Sequence, residues 1–308
     1  MRFPRYALAF VALVVPAAAA QLMVVDSGGD RVMLFDSTDG ALLDADWLTD
    51  AGAVGWFFTT PKEALVVGSE IWVSDQVADA IHRFDLSRNF LSSVTAHPGG
   101  GVVDNLRGLG TDGTNVYLSV FPSSAALRGV AVYDTNGVPQ DFFADSGSLF
   151  DAEPFLGDFL LTPNSTNGDV ERRSITTGAV INNFANDVTF PQQVQVLSDD
   201  SVIAVSTIAA SGVEGVYHFN SDGSLRLYID TENLKTQFGE TVPRAAWLLD
   251  NGDYLISAST GVYTFDVAEE SYARLISGVD GQYINIIPEP SGLALLLFGA
   301  FGVLRRRG

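Results

Sequence analysis

The sequence predicts an all-β protein folded as a six-bladed β-propeller, and three observations lead to this prediction. A unit of alternating apolar runs and tight turns occurs six times, and each occurrence accounts for four antiparallel strands. The units recur at intervals of 49, 49, 40, 46 and 46 residues, measured between side chains at one shared position: Phe35, Phe84, Tyr133, Arg173, Phe219 and Phe265. Several strands per unit and a repeat of roughly 40 to 50 residues are typical of propeller blades.

The unit is clearest in residues 22–43. An apolar run ends at Asp26, a glycine-rich loop follows, and a second apolar run ends at Asp36 before the pair Asp39-Gly40 turns the chain again. Alternating runs joined by tight turns predict antiparallel strands. The same pair of runs returns five times: 71–75 with 80–85, 116–120 with 130–134, 159–161 with 170–175, 202–206 with 216–220, and 254–258 with 262–266.

A further strand precedes each of the last five units, which gives four strands per blade: 63–67, 107–110, 154–156, 193–197 and 245–249. The first unit lacks this strand because Gln21 already begins the unit's second strand. Residues 281–287 match the missing strand in pattern. We therefore expect this C-terminal strand to complete the first blade and close the ring, which leaves no long free sheet edge.

The first 20 residues have the parts of a secretory signal peptide. Arg2 and Arg5 precede an apolar stretch over residues 7–15, and three alanines end at Ala20 as a small-residue cleavage site. The apolar run is too short for a membrane span. We expect the mature chain to begin at Gln21 and the propeller to occupy residues 21–287. The chain has no cysteine, so disulfides and thiolate metal sites are excluded.

The propeller body is strongly acidic. The chain has a net charge of −20, and five of its 17 basic residues lie in residues 1–20 and 291–308, so residues 21–290 keep 12 basic against 37 acidic residues. A field of this sign repels phosphate backbones and anionic lipid, so nucleic acid is not an expected partner. Divalent cations and cationic surfaces are natural counterparts, and a solvated acidic surface that keeps an exported protein soluble is the alternative.

The C-terminal segment, residues 288–308, has three parts. Pro288, Glu289 and Pro290 come first and an apolar stretch over residues 292–304 follows, predicted as a short hydrophobic helix of about 20 Å. Three basic residues then end the segment: Arg305, Arg306 and Arg307. Positive residues after the apolar stretch would hold the C-terminus in the cytoplasm and leave the body outside.

This tail resembles the PEP-CTERM sorting signal of Gram-negative bacteria, which exosortase membrane enzymes recognise and cleave near the Pro-Glu-Pro motif. The resemblance implies an exported protein that is held transiently in the inner membrane through segment 292–304. Exosortase would then release it to the cell surface or an extracellular polysaccharide matrix. A plain C-terminal anchor is the alternative, with the same topology and no cleavage.

Two units of the body are similar to the NHL repeat. They are residues 24–36, Val-Val-Asp-Ser-Gly-Gly-Asp-Arg-Val-Met-Leu-Phe-Asp, and residues 73–85, which share the aspartate before the turn and the Phe-Asp at the end. The other units depart from the pattern, with Val120 and Asn164 at the position of the first aspartate. The resemblance implies a propeller fold, and propellers of this type include both binding proteins and enzymes.

One polar residue per blade leads into each predicted innermost strand: Lys62, Arg107, Glu153, Gln192, Arg244 and Gln282. These positions share one face, so they predict a ring at the mouth of the central channel and a ligand-binding site. Lys62, Arg107 and Arg244 could bind a carboxylated sugar or a peptide. The alternative is that these side chains solvate the mouth or cap backbone groups.

Calcium is the one cofactor that the sequence raises. Asp26 with Asp30, and Asp75 with Asp79, could provide oxygen ligands, but the loop lacks the further acids of an EF-hand. Such aspartates more often accept hydrogen bonds from their own loop.

The remaining chemistry-bearing residues show no catalytic motif. His82 and His218 lie in predicted strands and are expected at the edge of the core, whereas His97 lies in a glycine-rich loop that could reach the mouth. Asn164-Ser165-Thr166 is interpreted as a turn. The tryptophans are expected to fill the packing between blades, with Trp47 also a candidate for stacking on a sugar: Trp47, Trp56, Trp72 and Trp247.

The sequence favours a noncatalytic surface or matrix protein that binds a polysaccharide or a protein through the channel mouth. One alternative is a metal-dependent hydrolase or lactonase resembling the gluconolactonase propellers, which hold a divalent ion with carboxylate and amide groups from several blades. Glu153 is the only acid in the predicted ring, and cations there would oppose a metal. A purely architectural matrix protein is the other alternative.

Overall fold

The computed structural model describes residues 20–157, 159–207, 214–239 and 241–288. The predicted signal peptide up to residue 19 and the tail from Glu289 onward, with its apolar segment and arginine cluster, lie outside these ranges. In the described part of the chain, no helix combines the length and apolar character needed to cross a membrane.

The described residues form six four-stranded antiparallel sheets, one for each predicted blade. Blade 1 contains β1 (Gln21–Asp26), β2 (Arg31–Asp36), β3 (Leu42–Thr49) and, from the other end of the chain, β24 (Gly281–Ile287). Blade 2 contains β4 (Pro61–Val67), β5 (Glu70–Asp75), β6 (Ala80–Asp85) and β7 (Phe90–Val94), and blade 3 contains β8 (Leu106–Thr111), β9 (Asn115–Val120), β10 (Gly129–Asp134) and β11 (Pro139–Ala144).

The remaining three blades follow the same order. Blade 4 contains β12 (Glu153–Phe155), β13 (Phe159–Asn164), β14 (Asp169–Ser174) and β15 (Val180–Ala185). Blade 5 contains β16 (Pro191–Val196), β17 (Val202–Ser206), β18 (Gly215–Phe219) and β19 (Leu225–Asp230), and blade 6 contains β20 (Pro243–Leu248), β21 (Tyr254–Ala258), β22 (Gly261–Asp266) and β23 (Ser271–Ser277). A 3-10 helix, Ala125–Leu127, and a short α-helix, α1 (Glu232–Phe238), lie in connections.

The six blades are arranged in a ring around their first strands. Each of β24, β4, β8, β12, β16 and β20 contacts the corresponding strands of the two neighbouring blades, and the series returns to its start. The C-terminal strand β24 pairs with β1, from Gln21 opposite Ile287 to Asp26 opposite Gly281. The all-β six-bladed fold with four strands per blade is therefore as predicted, and blade 1 is built from both ends of the described chain.

The antiparallel blades give the ring two distinct faces. We define the mouth face as the face where the six inner strands begin and the far face as the face where they end. Since strands alternate in direction, the turn after the second strand and the connection to the next blade both lie on the mouth face. The chain enters β1 at Gln21 and leaves β24 at Ile287, and these paired residues both lie on the far face.

Packing between blades explains the shared position in the repeat. Its six residues lie on the third strand of each blade and are all buried: Phe35, Phe84, Tyr133, Arg173, Phe219 and Phe265. In five of the six blades, the residue opposite on the second strand is aliphatic. Complete burial of an aromatic side chain stabilises the fold by roughly 1.5–3 kcal/mol. Trp72 is also fully buried, as expected for a residue between blades.

Blade 4 keeps this position with a charged residue. Arg173 is buried, its Nε donates a hydrogen bond of 2.9 Å to Glu171 Oε2, and its Nη2 lies 2.6 Å from Asp145 Oδ2. The guanidinium therefore occupies the place of an aromatic ring because two carboxylates compensate its charge. This substitution explains why the fourth unit departs most from the repeat in sequence.

Arg173→Ala should destabilise the protein by about 3 kcal/mol or more, because it leaves the buried Glu171 carboxylate without its partner. Arg226→Ala is the matched control, since Arg226 pairs with Asp199 at 3.1 Å and both side chains are about half exposed. The control should lose less than about 1 kcal/mol. Urea unfolding of both variants measures the difference, and equal losses would contradict the structural role of Arg173.

Candidate functional site

The aspartates considered for calcium hold the mouth-face loops in place. Asp26 Oδ1 accepts hydrogen bonds from the backbone N–H groups of Gly28 and Gly29, both at 3.1 Å, and from Asp280 N–H at 2.9 Å. Its Oδ2 pairs with Arg31 Nε at 2.9 Å. Asp26 therefore accepts hydrogen bonds from its own loop, which is the alternative to calcium binding that the sequence analysis gives for these aspartates.

Asp75 makes the equivalent contacts in blade 2. Its two oxygens accept backbone N–H groups from both adjoining loops, at 2.7 to 3.2 Å: Thr59, Thr60, Val77 and Ala78. Asp30 and Asp79 both have positive φ angles, of 51° and 53°. Within the described ranges, no three His, Cys, Asp or Glu side chains are grouped so that they could hold a metal ion.

The structure places Lys62 and Gln282 of the predicted ring in direct contact. Lys62 Nζ donates a hydrogen bond of 3.2 Å to Gln282 Oε1, and Gln282 Nε2 donates one of 2.7 Å to Ser27 Oγ. Burial, the largest cause, and the positive charges of Arg244 and Arg107 together lower the pKa of Lys62 to about 8, against the opposing charges of Asp280 and Asp75. Lys62 therefore lies close enough to Arg244 and Arg107 to be repelled by both.

Arg107 is held rigidly at the mouth. Its Nη1 donates hydrogen bonds to Ser148 Oγ at 2.9 Å and to the carbonyl of Leu149 at 2.8 Å. The guanidinium carbon lies 3.9 Å from the ring centroid of Phe150 and 4.7 Å from that of Phe121. Arg107 is 8 % exposed, and its buried Nε has no hydrogen-bond partner in the described structure. Burial lowers its pKa to about 10.

Arg128 is a fourth cation of the mouth that the sequence analysis missed. Its guanidinium carbon lies 4.1 Å from the centroid of Phe121, which it shares with Arg107, and its Nε donates to the carbonyl of Pro122 at 2.9 Å. Arg128 lies between the second and third strands of blade 3, in a connection whose course depends on tertiary packing. The feature of the sequence that could have indicated Arg128 is Phe121, an aromatic residue directly after the mouth-face end of β9.

Arg244 completes the cationic part of the mouth. Its Nη2 lies 3.1 Å from Asp280 Oδ1, and its buried Nε lacks a hydrogen-bond partner among the described residues. In the same part of the structure, Lys62, Arg107 and Arg128 have no carboxylate within 4.0 Å. Four of the 12 basic residues of the body are thus gathered at one end of the channel, and only one has an acidic partner.

Below the mouth, buried polar side chains fill the channel. Glu63 accepts hydrogen bonds from the backbone N–H of Leu109, from Asn285 Nδ2 at 2.6 Å and from Gln193 Nε2 at 3.3 Å. Gln193 in turn donates to the carbonyl of Ile284 at 2.7 Å and accepts its N–H at 3.1 Å. These contacts join inner strands of four blades, so we call Glu63, Gln193 and Asn285 the channel plug.

Glu153 lies with the buried carboxylates rather than with the cations. Asp151 accepts backbone N–H groups from Val194 at 3.0 Å and Ala152 at 2.8 Å. Gly108 makes room for it, since a Cβ there would lie 2.2 Å from Asp151 Oδ1. Burial raises the pKa values of Glu153, Asp151 and Glu63, and the charge of Asp151 raises those of both glutamates further. Gln192, the remaining ring residue, is buried.

The three histidines are buried and have local partners. His82 Nδ1 lies 2.9 Å from Ser93 Oγ, and His218 lies 2.5 Å from the Tyr254 hydroxyl. His97 accepts the N–H of Gly99 at 2.9 Å and packs against Phe142 of the outer strand of blade 3, with ring centroids 4.6 Å apart. The structure therefore buries His97 against the outer strand of blade 3.

Two further residues singled out in the sequence have structural contacts. Trp47 is half-buried beneath Arg88, whose guanidinium carbon lies 5.7 Å from the indole centroid. Asn164 is buried and its Oδ1 accepts the N–H of Thr166 at 3.0 Å, which is the turn that the sequence indicates.

A cavity of about 600 Å³ opens on the far face, where β16, β20 and β24 end. Its lining combines apolar side chains with two carboxylates, and includes Leu197, Trp247, Leu249, Ile286, Asp199 and Asp250. Asp250 already accepts a hydrogen bond from Ser37 Oγ at 3.0 Å, and Asp199 pairs with Arg226. The charged residues of this lining are carboxylates, whereas the unpaired charges at the mouth are cations.

Comparisons with solved structures show the fold. A protein of unknown function from Bacteroides caccae is 11% identical, with a TM-score of 0.60 over 88% of this chain and 100% of that chain. The nidogen/laminin complex gives 9% identity and a TM-score of 0.62 over 87% and 98%. A catalytically inactive virginiamycin B lyase from Staphylococcus aureus, solved with quinupristin, gives 9% and 0.54 over 84% and 85%. No protein-family model matches the chain, and no curated protein matches it.

The buried carboxylates predict a pH-dependent stability. When folding raises the pKa of a carboxyl group, the folded protein binds more protons than the unfolded chain, so the free energy of unfolding falls as pH rises from about 4. Glu153→Gln removes one of these titrations without removing a hydrogen bond that Glu153 makes in the described structure. The variant should match the wild type near pH 4 and exceed its stability at pH 8 by on the order of 1 kcal/mol.

Urea unfolding at pH 4 to 8 measures this dependence. Glu269→Gln, at an exposed turn, is the matched control and should change nothing. A Glu153→Gln variant whose stability depends on pH as steeply as that of the wild type would contradict the assignment.

Proposed function

We propose that this protein is a noncatalytic binding module that recognises an anionic group of a polysaccharide or protein at its mouth face. The observation that carries the proposal is the gathering of Lys62, Arg107, Arg128 and Arg244 at one end of the channel of a chain with net charge −20. Three of these cations have no carboxylate within 4.0 Å in the described structure. A carboxylate ligand would supply the missing counter-charge.

The donors at the mouth are held in place before any ligand arrives. Arg107 is fixed by Ser148, Leu149 and two aromatic rings, and among the described residues it uses only Nη1 for hydrogen bonds. Lys62 uses one hydrogen bond, to Gln282, so two of its three N–H groups are available. Rigid donors lose little conformational entropy on binding, which favours affinity.

A metal-dependent hydrolase or lactonase is less well supported. The buried carboxylates below the mouth, Glu63 and Asp151, already accept backbone N–H groups, and at the mouth itself Asp280 is paired with Arg244. Thermal unfolding with Ca²⁺, with Mg²⁺ and with EDTA separates the two functions, because a ligand bound only by the folded state raises the midpoint. A rise with a divalent ion alone would favour the hydrolase. No rise with any ion or anion would favour the architectural alternative.

We further propose that the protein is exported and sorted through a PEP-CTERM tail. This proposal rests on the sequence of residues 288–308, with exosortase as the processing partner and the inner membrane as a transient location. The fold is compatible with display, because β24 ends on the far face at Ile287. A tail that holds the protein at a membrane would therefore extend from the face opposite the mouth and leave the mouth accessible.

Removal of mouth cations should weaken binding of a soluble polyanion. We expect Lys62→Gln and Arg244→Gln each to reduce the affinity for polygalacturonate or poly-L-glutamate roughly tenfold, the loss of one charge-assisted hydrogen bond. Arg88→Gln, at an exposed turn of the far face, is the control and should leave the affinity unchanged. Isothermal titration calorimetry measures all three. Equal losses for the three variants would indicate nonspecific attraction and contradict the mouth as the site.

The pKa of Lys62 predicts how binding depends on pH. Since that pKa is about 8, the ammonium group loses its proton as pH rises through 8. The affinity for polyanions should therefore fall between pH 7 and 9. Lys62→Arg keeps its charge over this range and should abolish the fall. A pH dependence that is the same in both proteins would show that Lys62 does not contact the anion.

A further inference from the structure

The mouth face also presents exposed apolar side chains on the loops of blades 2 and 3. They belong to three separate loops, and each is more than half exposed: Val54 at 90%, Phe57 at 63%, Val77 at 58% and Val102 at 65%. Single exposed apolar residues are common on protein surfaces and need no explanation. These four are of interest because the loops that carry them are joined.

Hydrogen bonds connect the three loops into one surface. Gln76 N–H donates to the carbonyl of Thr60 at 2.9 Å, which joins the loop of Val77 to the loop of Phe57. Gln76 Nε2 donates to Asn105 Oδ1 at 2.5 Å, and Asn105 N–H donates to Asp79 Oδ1 at 3.0 Å, which joins the loop of Val102. We call Val54, Phe57, Val77 and Val102, with the loops that carry them, the apolar rim.

The apolar rim adjoins the mouth cations along the chain. Thr60 lies two residues before Lys62, and Asn105 lies two residues before Arg107. The two residues that connect the loops of the rim therefore lead directly into the inner strands that carry these two cations. A ligand bound at Lys62 and Arg107 would have the rim at its side.

The neighbours of Phe57 pack into the protein. Trp56 packs on Phe58 and Phe84, with ring centroids 5.1 and 4.9 Å apart, and Phe58 is buried in the core between blades 1 and 2. Phe58 N–H donates to Asp50 Oδ2 at 3.1 Å. Phe57 lies between these two inward-packed side chains and is itself 63% exposed, so its ring is accessible to a ligand.

We propose that the mouth cations and the apolar rim together form a docking site for a peptide segment of another protein, one that carries an acidic group beside apolar side chains. This inference rests on the proposed function of the mouth. It favours a protein partner over a polysaccharide because three of the four rim side chains are valines, which offer neither hydrogen bonds to hydroxyl groups nor an aromatic face for a sugar ring. Phe57 is the single aromatic ring of the four. A peptide supplies both a carboxylate and aliphatic groups within a few residues.

The test compares three soluble probes with the purified full-length protein. A copolymer of glutamate and leucine should bind at least tenfold more tightly than poly-L-glutamate of the same length, because only the copolymer can bury apolar surface on the rim. Polygalacturonate is the third probe and carries carboxylates on sugar rings. Tighter binding of polygalacturonate than of the copolymer would overturn the proposal in favour of a polysaccharide.

Variants assign the gain to the rim. Phe57→Ser combined with Val102→Ser should remove the tenfold advantage of the copolymer and leave poly-L-glutamate binding unchanged. Val138→Ser combined with Leu225→Ser, two exposed apolar residues on turns of the far face, is the matched control and should keep the advantage. Thermal midpoints of both double variants confirm that each is folded.

The outcomes separate this proposal from the function on which it rests. If poly-L-glutamate binds but the copolymer has no advantage, or if the far-face variant loses the advantage too, the apolar rim is not a docking site and the anion site stands. If no polyanion binds the wild type, the proposed function of the mouth itself is wrong.

Discussion

The hydrogen bonds of the Glu63 carboxylate hold the centre of this propeller together. From blade 2, Glu63 reaches the backbone of β8 in blade 3, Gln193 in blade 5 and Asn285 in blade 1. Gln193 pairs with both backbone groups of Ile284, so the C-terminal strand is bound across the channel as well as to β1. The six sheets surround the centre of the ring without an apolar core there, and these buried polar contacts connect their inner strands instead. Its cost is the burial of a carboxyl group, whose pKa is raised by desolvation and which three hydrogen-bond donors partly compensate.

The channel plug lies among groups of opposite charge. Glu63, Gln193 and Asn285 are buried and joined by hydrogen bonds between inner strands. Carboxylates with raised pKa values lie inside, and cations lie above them at the mouth. Two of these cations, Arg107 and Arg128, pack on aromatic rings. The faces of Phe121 and Phe150 stabilise their guanidinium groups without neutralising the charge. The positive charge therefore remains available to a ligand.

The two faces have different roles in the proposed function. The far face holds both ends of the described chain, because Gln21 of β1 pairs there with Ile287 of β24. The mouth face holds the four cations and the apolar rim, supported by the loop contacts of Asp75 and Asp50. In the proposed function, attachment and recognition would therefore lie at opposite ends of the ring. This separation follows from the parallel direction of the six inner strands and needs no hinge.

Residue patterns alone predicted six blades, four strands in each blade and the pairing of residues 281–287 with the first blade, and the structure has all three. Local turn chemistry and a two-residue alternation of apolar side chains encode these features, and both can be read within a few residues. The sequence also identified Lys62, Arg107 and Arg244, because a shared position in a repeat fixes their height in the channel. Three placements became known only from the tertiary structure. Glu153 lies among the buried carboxylates, Arg128 belongs to the mouth cations, and His97 is buried against Phe142. Those outcomes depend on contacts between blades, where side-chain direction and the course of a loop are decided by packing partners that are distant in the chain.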